Sequence, residues 1–199
     1  MIAQLAGARH PSLFHSLILG CTTLSIASPL EPPAVIVGEF PSEMPTTPAE
    51  HRALVHKLLA ANFTTEWIKS NEKYFEFLVD DSMRWKRPLA ATMEQNRALG
   101  RFNGRPTVGS LKSLPCLILH GTSDGIIPIS QAHVLANHLP QADIVTLPAV
   151  GHLFWTQAEK ETTNALHTFL EKHETKIRLD AARQLFKPQS INESNAAKL

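Results

Sequence analysis

Residues 120–128 read HGTSDGIIP, and 28 residues after Asp124 the run AVGH ends at His152. An aspartate that holds an imidazole in one tautomer, and an imidazole that takes and returns a proton, are two of the three parts of a Ser-His-Asp acyl-transfer triad. The third part has an immediate candidate, because Gly121-Thr-Ser123-Asp-Gly125 fits the G-x-S-x-G pattern of a nucleophile elbow. An elbow needs a strand, a sharp turn and a helix that starts at once. Here Ile126, Ile127 and Pro128 follow, and a proline removes an amide and keeps its predecessor out of the helical region. The helix is therefore expected near Ser130, too late to support an elbow, and Ser123 is read as a flanking residue. Singly, Asp124 reads as a turn cap and His152 as one of ten histidines. Jointly, each after an apolar run, they read as acid and base.

The elements that must position them follow from periodicity. LPCLILH predicts a strand, ISQAHVLANHL a helix, ADIVTLP a second strand and AEKETTNALHTFL a closing helix. Strands alternating with helices of about ten residues predict βαβ units and a parallel sheet, whose carboxyl-end loops carry sites. Gly151 is read as the freedom the last loop needs to turn. Upstream, MIAQLAGARH predicts a helix with Ile2, Leu5 and Ala6 on one face, and SLILGC a strand buried on both sides. Six prolines between Ser28 and Pro48 predict a loop, which ends at Thr47-Pro48-Ala49-Glu50, a capping box with proline at the first helical position. EHRALVHKLLA, TEWIKSNEKYFEFLVDDSMRW and LAATMEQNRAL then predict three helices. The aromatics Trp67, Tyr74, Phe75, Phe77 and Trp85 read first as packing. Their clustering also suits a lid over an apolar substrate.

Composition bounds the partners. The 199 residues are 43% hydrophobic and 19% charged, with formal net charge +1. That fits one globular domain, and without a basic stripe nothing favours nucleic acid or an anionic membrane surface. A small-molecule partner is expected, with the oligomeric state left open. Cys21 and Cys116 lie in apolar runs with neither a disulfide framework nor a metal-ligand spacing, so no metal or cofactor is expected, and two buried thiols fit the cytoplasm. The segment SLFHSLILGCTTLSIAS imitates a signal peptide, but polar residues interrupt it and a helix followed by a strand explains it better. The residues from Glu171 onward contain few apolar positions and are expected to fray.

From Leu114 to Leu170 the chain resembles the C-terminal part of the α/β-hydrolase superfamily, in which a strand, an H-G-x-x-D-x-x-x-P loop, a helix, a strand and a G-H loop follow in this order. LPCLILHGTSDGIIP, LANHLPQADIVTLPAVGH and the closing helix carry the resemblance, which extends over most of the chain to about Glu171. MEQNRALGRF resembles the matching stretch of the enol-lactonase-like esterases, although the His-Asp dipeptide common there near the position of Arg101 is missing. The resemblance implies an α/β fold: residues 1–28 and 107–171 form three parallel strands with flanking helices, 29–106 an inserted helical cap, and 172–199 a flexible tail. It implies hydrolysis of an ester or lactone, with Asp124 and His152 as catalytic residues.

The family places its nucleophile after the fifth strand, in a G-x-nucleophile-x-G-G elbow running into a helix that often reads like MIAQLAGARHP. The resemblance therefore puts the nucleophile four positions before Met1, with the oxyanion hole also upstream, and expects the 199 residues alone to be close to inert. Serine there gives acyl transfer to water. Aspartate, as in dehalogenase and epoxide-hydrolase relatives, makes the same histidine activate water. The rival reading is a shortened, inactive hydrolase-like protein that persists as a binding or interaction module.

Overall fold

The computed structural model describes residues 1–26, 45–85 and 89–185. Most of the proline-rich stretch, the start of the expected cap and the last residues of the tail lie outside them. The described chain runs α1 (Ile2–Arg9), β1 (Leu17–Gly20), α2 (Pro48–Ala60), α3 (Thr65–Ser70), α4 (Glu72–Arg84), α5 (Leu89–Arg101), α6 (Arg105–Val108), β2 (Cys116–Gly121), α7 (Ile129–His138), β3 (Asp143–Leu147), α8 (Phe154–Gln157) and α9 (Glu159–Leu185). Among the described residues no helix is long and apolar enough to cross a membrane.

The three strands pair in parallel in the order β1-β2-β3, with Leu19 opposite Ile118 and Leu119 opposite Val145. Central β2 is buried at every position, which is why it reads as a continuous apolar run. The strands beside it alternate, and Ile18 of β1 and Ile144 of β3 are exposed. Alternate β2 side chains feed two cores. Cys116 and Ile118 join Leu17, Leu19, Leu111 and the α7 residues Ala132, Leu135 and Leu139. Leu117 and Leu119 join Leu147, Val150, Phe154 and Phe169 of α9 on the other face. Full burial of such side chains stabilises by about 1.5–3 kcal/mol each.

Several expectations need adjustment. The face of α1 turned inward carries Gln4 and Gly7, and Ile2 is exposed. A Cβ on Gly7 would come within 2.7 Å of Leu17, so this glycine sets how closely α1 approaches the sheet. Gln4 is buried with its amide nitrogen donating to the Thr23 carbonyl at 3.0 Å and to Thr22 Oγ1 at 3.2 Å, bonds that offset part of its desolvation, while its Oε1 has no hydrogen-bond partner among the described residues. Cys21 lies just past β1, not inside it. The helix expected over TEWIKSNEKYFEFLVDDSMRW is divided into α3 and α4 at Asn71, whose side-chain amide donates to the Trp67 carbonyl and so substitutes for the helical ladder. The capping box at Thr47 forms as the sequence requires, with the Glu50 amide donating to Thr47 Oγ1 and the Thr47 amide to Glu50. Helix α9 continues past Glu171 to Leu185, because ETKIRLDAARQL is built of strong helix formers even where the apolar stripe thins.

Helices α2, α3 and α4 pack around Phe63, Phe75 and Val79, with Phe63 stacked on Trp67 at 4.4 Å between ring centres. Tyr74, Phe77 and Trp85 are exposed, so the aromatic cluster divides between packing and surface. Leu153, from the loop after β3, packs against this helical core.

Candidate active site

Asp124 and His152 meet where the loops after β2 and β3 converge. Asp124 is tied first to its own turn: Oδ1 accepts the amides of Ile126 and Ile127 at 2.8 and 2.9 Å. Its other oxygen, Oδ2, lies 2.9 Å from His152 Nδ1. The carboxylate is inaccessible while the imidazole keeps 22% of its surface exposed. With Nδ1 donating to Asp124, Nε2 is left as the acceptor, the tautomer a proton-accepting base requires.

A third residue completes the carboxylate's surroundings. His120 Nε2 lies 2.8 Å from the Ile127 carbonyl and 3.3 Å from Asp124 Oδ2. The carbonyl only accepts, so Nε2 carries the proton and donates. His120 is buried and its Nδ1 lacks a hydrogen-bond partner among the described residues. Burial works to raise the pKa of Asp124, but hydrogen bonds from His120, His152 and the Ile127 amide, with the charge of His152, outweigh it and hold the carboxyl well below the usual range.

The sign of the pH effect follows. A depressed folded pKa contributes stability that is full above the ordinary carboxylate pKa of about 3.9 and is lost as pH falls through the folded value. Urea unfolding between pH 6 and pH 3 should show the wild-type chain losing stability more steeply than Asp124→Asn over the acid end. Equal slopes would remove Asp124 from the acid response.

The His152 loop is held by contacts that local sequence does not announce. The amides of Thr122 and Ser123 donate to the carbonyls of Leu147 and Val150, both at 2.9 Å. Gln157 clamps the loop: its Oε1 accepts the Gly151 amide at 3.0 Å, and its Nε2 donates to the Ala149 carbonyl at 3.0 Å and to Thr64 Oγ1 at 2.9 Å. The turn is made at Ala149, with φ of 57°. Gly151 serves closeness: a Cβ there would lie 2.6 Å from the carbonyl oxygen of Asn62, just past α2. Ser123 is exposed, and α7 starts only at Ile129. The strand-turn-helix geometry of an elbow is therefore missing around it.

Cys21 is the residue that sequence spacing did not bring here. Its backbone is left-handed, with φ of 40°, and its amide donates to the Leu119 carbonyl at 3.0 Å. Its sulfur and one ligating atom each of Asp124 and His152 all lie within 4.8 Å of one another. Burial pushes the thiol above its ordinary range; a hydrogen bond from the Gly121 backbone opposes it, and the charge and hydrogen bonding of Asp124 add to the rise. The only signal in the sequence is the position of Cys21 at the carboxyl end of an apolar run.

Comparisons with known proteins agree on the scaffold. No protein-family profile matches the chain. The dihydrolipoyllysine-residue acetyltransferase component of the acetoin cleaving system of Pseudomonas putida is 30% identical over 102 residues, covering 48% of this chain and 26% of that protein. Among solved structures, the enol-lactonase from Burkholderia xenovorans LB400 is 22% identical, with a TM-score of 0.64 over 85% of this chain and 61% of that one. A thermophilic esterase from Thermogutta terrifontis is 21% identical, with a TM-score of 0.61 over 86% and 61%. The 2-hydroxy-6-oxo-6-phenylhexa-2,4-dienoate hydrolase of a Rhodococcus species is 15% identical, with a TM-score of 0.61 over 84% and 59%. The chain thus spans about a quarter of the curated relative and about three-fifths of these solved hydrolases. Together with the parallel order β1-β2-β3 and its flanking helices, the likenesses show that the chain carries part of the α/β-hydrolase fold.

Proposed function

We propose that this chain supplies the acid and the base of an α/β-fold hydrolase acting on an ester or lactone bond of a small molecule. The observation that carries the reading is the 2.9 Å contact between His152 Nδ1 and a buried Asp124 anchored by two backbone amides, on loops after adjacent parallel strands. Asp124 fixes the imidazole and stabilises its protonated form. His152 Nε2 takes the proton of an attacking hydroxyl and returns it to the leaving group. The steps are proton and acyl transfers, which side chains and backbone amides carry. The esterase and enol-lactonase likenesses support the bond type.

We place the nucleophile, a serine, amino-terminal to Met1. The support is positional. The Met1 amino group donates to Thr22 Oγ1 at 3.2 Å, one residue from Cys21, whose sulfur lies beside Asp124 and His152. A peptide joined to Met1 therefore enters at the same end of the sheet. The amino end of α1, with its free amides and positive dipole end, suits a developing oxyanion.

The transcript tests this. Its 5′ region, translated in frame before Met1, is expected to read Gly-x-Ser-x-Gly-Gly after an apolar strand. Aspartate in place of that serine would move the reaction to water activation. A stop codon or unrelated sequence would overturn the placement and leave the non-enzymatic binding module. The 199-residue chain alone is expected not to hydrolyse short p-nitrophenyl esters above a heat-treated control. Turnover that disappears in Ser123→Ala would make Ser123 the nucleophile after all.

A further inference from the structure

We propose that Cys21, Asp124 and His152 form a binding site for one soft divalent cation of the zinc or cadmium class, whose binding withdraws His152 from proton transfer. The three donor types are the sulfur, oxygen and nitrogen ligands such cations take, and the three ligating atoms lie within 4.8 Å of one another. Bonds of about 2.0–2.3 Å in a tetrahedral site put ligand atoms roughly 3.3–3.8 Å apart, so the cysteine has to close by at most about 1.5 Å while His152 Nδ1 and Asp124 Oδ2, 2.9 Å apart, open by about 0.4–0.9 Å. One thiolate and one carboxylate balance a double positive charge. Three protein ligands leave the fourth position for water.

The surroundings favour this over an adaptable surface cluster. Asp124 Oδ1 is held by the Ile126 and Ile127 amides, and His120 Nε2 stands 3.3 Å from Oδ2, so the carboxylate is already oriented by outer contacts. Cys21, with its left-handed backbone just past β1, is buried with Leu147, Val150 and Phe154 on one face of the sheet, whereas Cys116 belongs to the core on the other face. His152, the partly exposed member, is the side of entry. Magnesium and calcium do not fit, since they demand more ligands and only oxygen. On binding, the Cys21 S–H bond breaks and its proton leaves to solvent as a sulfur–metal bond forms, while the His152 Nδ1 hydrogen bond to Asp124 breaks, its proton moves by way of solvent to Nε2, and Nδ1 and the carboxylate bind the metal. The spacing of the ligands, 103 and 28 residues apart, hides the site from any sequence pattern.

Binding stands on this geometry alone, whereas inhibition rests on the hydrolase reading. The test therefore reads binding without turnover, so either can fail without the other. Tag-free 199-residue chain is titrated with cadmium chloride while the thiolate-to-cadmium absorption band in the ultraviolet is followed. We expect saturation at one equivalent, with zinc competing. Cys21→Ser should abolish the band, Cys116→Ser should keep it, and His152→Ala should keep it while weakening binding about ten-fold or more. In the wild-type chain, which needs no substitution to fold, cadmium should shift the ring proton resonances of His152. Lack of a band in the wild type, a band that survives Cys21→Ser, unchanged affinity in His152→Ala, or an unmoved His152 ring would each overturn the site.

Discussion

In a protein extended amino-terminally by the nucleophile segment proposed above, His152→Ala is expected to lower kcat for ester hydrolysis by about three orders of magnitude or more, and Asp124→Asn by a comparable factor. Removing the imidazole removes the acceptor for the nucleophile's proton and the donor for the leaving group. Asparagine at 124 keeps the shape but offers a neutral amide to Nδ1, so the tautomer that leaves Nε2 free is no longer fixed, and the protonated imidazole loses its counter-charge. Ser123→Ala is expected to change kcat little, since that hydroxyl is exposed and performs no proton transfer. Initial rates at saturating substrate check all three. Equal damage from the three substitutions would mean the 120–128 loop had been disrupted as a structure, and the assignment of Asp124 would lose its basis.

The second large effect is on stability. Gly121 ends β2 where the strand passes under the His152 loop, and a Cβ there would stand 2.2 Å from the Val150 carbonyl oxygen and 2.5 Å from that of Gly151. Both obstacles are backbone, so no rotamer change relieves them. Because the same carbonyl of Val150 accepts the Ser123 amide, moving it aside also breaks a loop hydrogen bond. Gly121→Val should therefore cost about 3 kcal/mol or more, a large share of the roughly 5–15 kcal/mol typical of folded domains. Urea denaturation gives the measurement. An unchanged midpoint would show that the crossing of β2 and the loop is looser than these distances require.

What the sequence discloses depends on whether a feature is local. Strand β2 is legible because burial on both faces leaves a continuous apolar run, and the start of α2 because a capping box needs only four consecutive residues. Asp124 and His152 are legible because each follows an apolar strand and sits in a short motif. The inward face of α1 is not, since the buried Gln4 donates hydrogen bonds to Thr22 and Thr23, a partnership 18 and 19 residues away that hydrophobic periodicity cannot register. Gln157 reads as an ordinary polar residue before a helix, yet it holds Ala149, Gly151 and Thr64 at once. Cys21 reads as a strand residue until a left-handed turn carries it to the site. Gly151 shows the same limit in milder form: the residue type is right, but the reason is the nearness of Asn62 and not the turn.

The pairing of Asp124 with His152 for a nucleophile delivered at the start of α1 is tested most directly by labelling the extended protein with a fluorophosphonate and locating the adduct by peptide mass spectrometry. The adduct is expected on a serine amino-terminal to Met1, with none on Ser123, and its rate of formation should collapse in His152→Ala. An adduct on Ser123, or labelling that proceeds at the same rate without His152, would contradict the account.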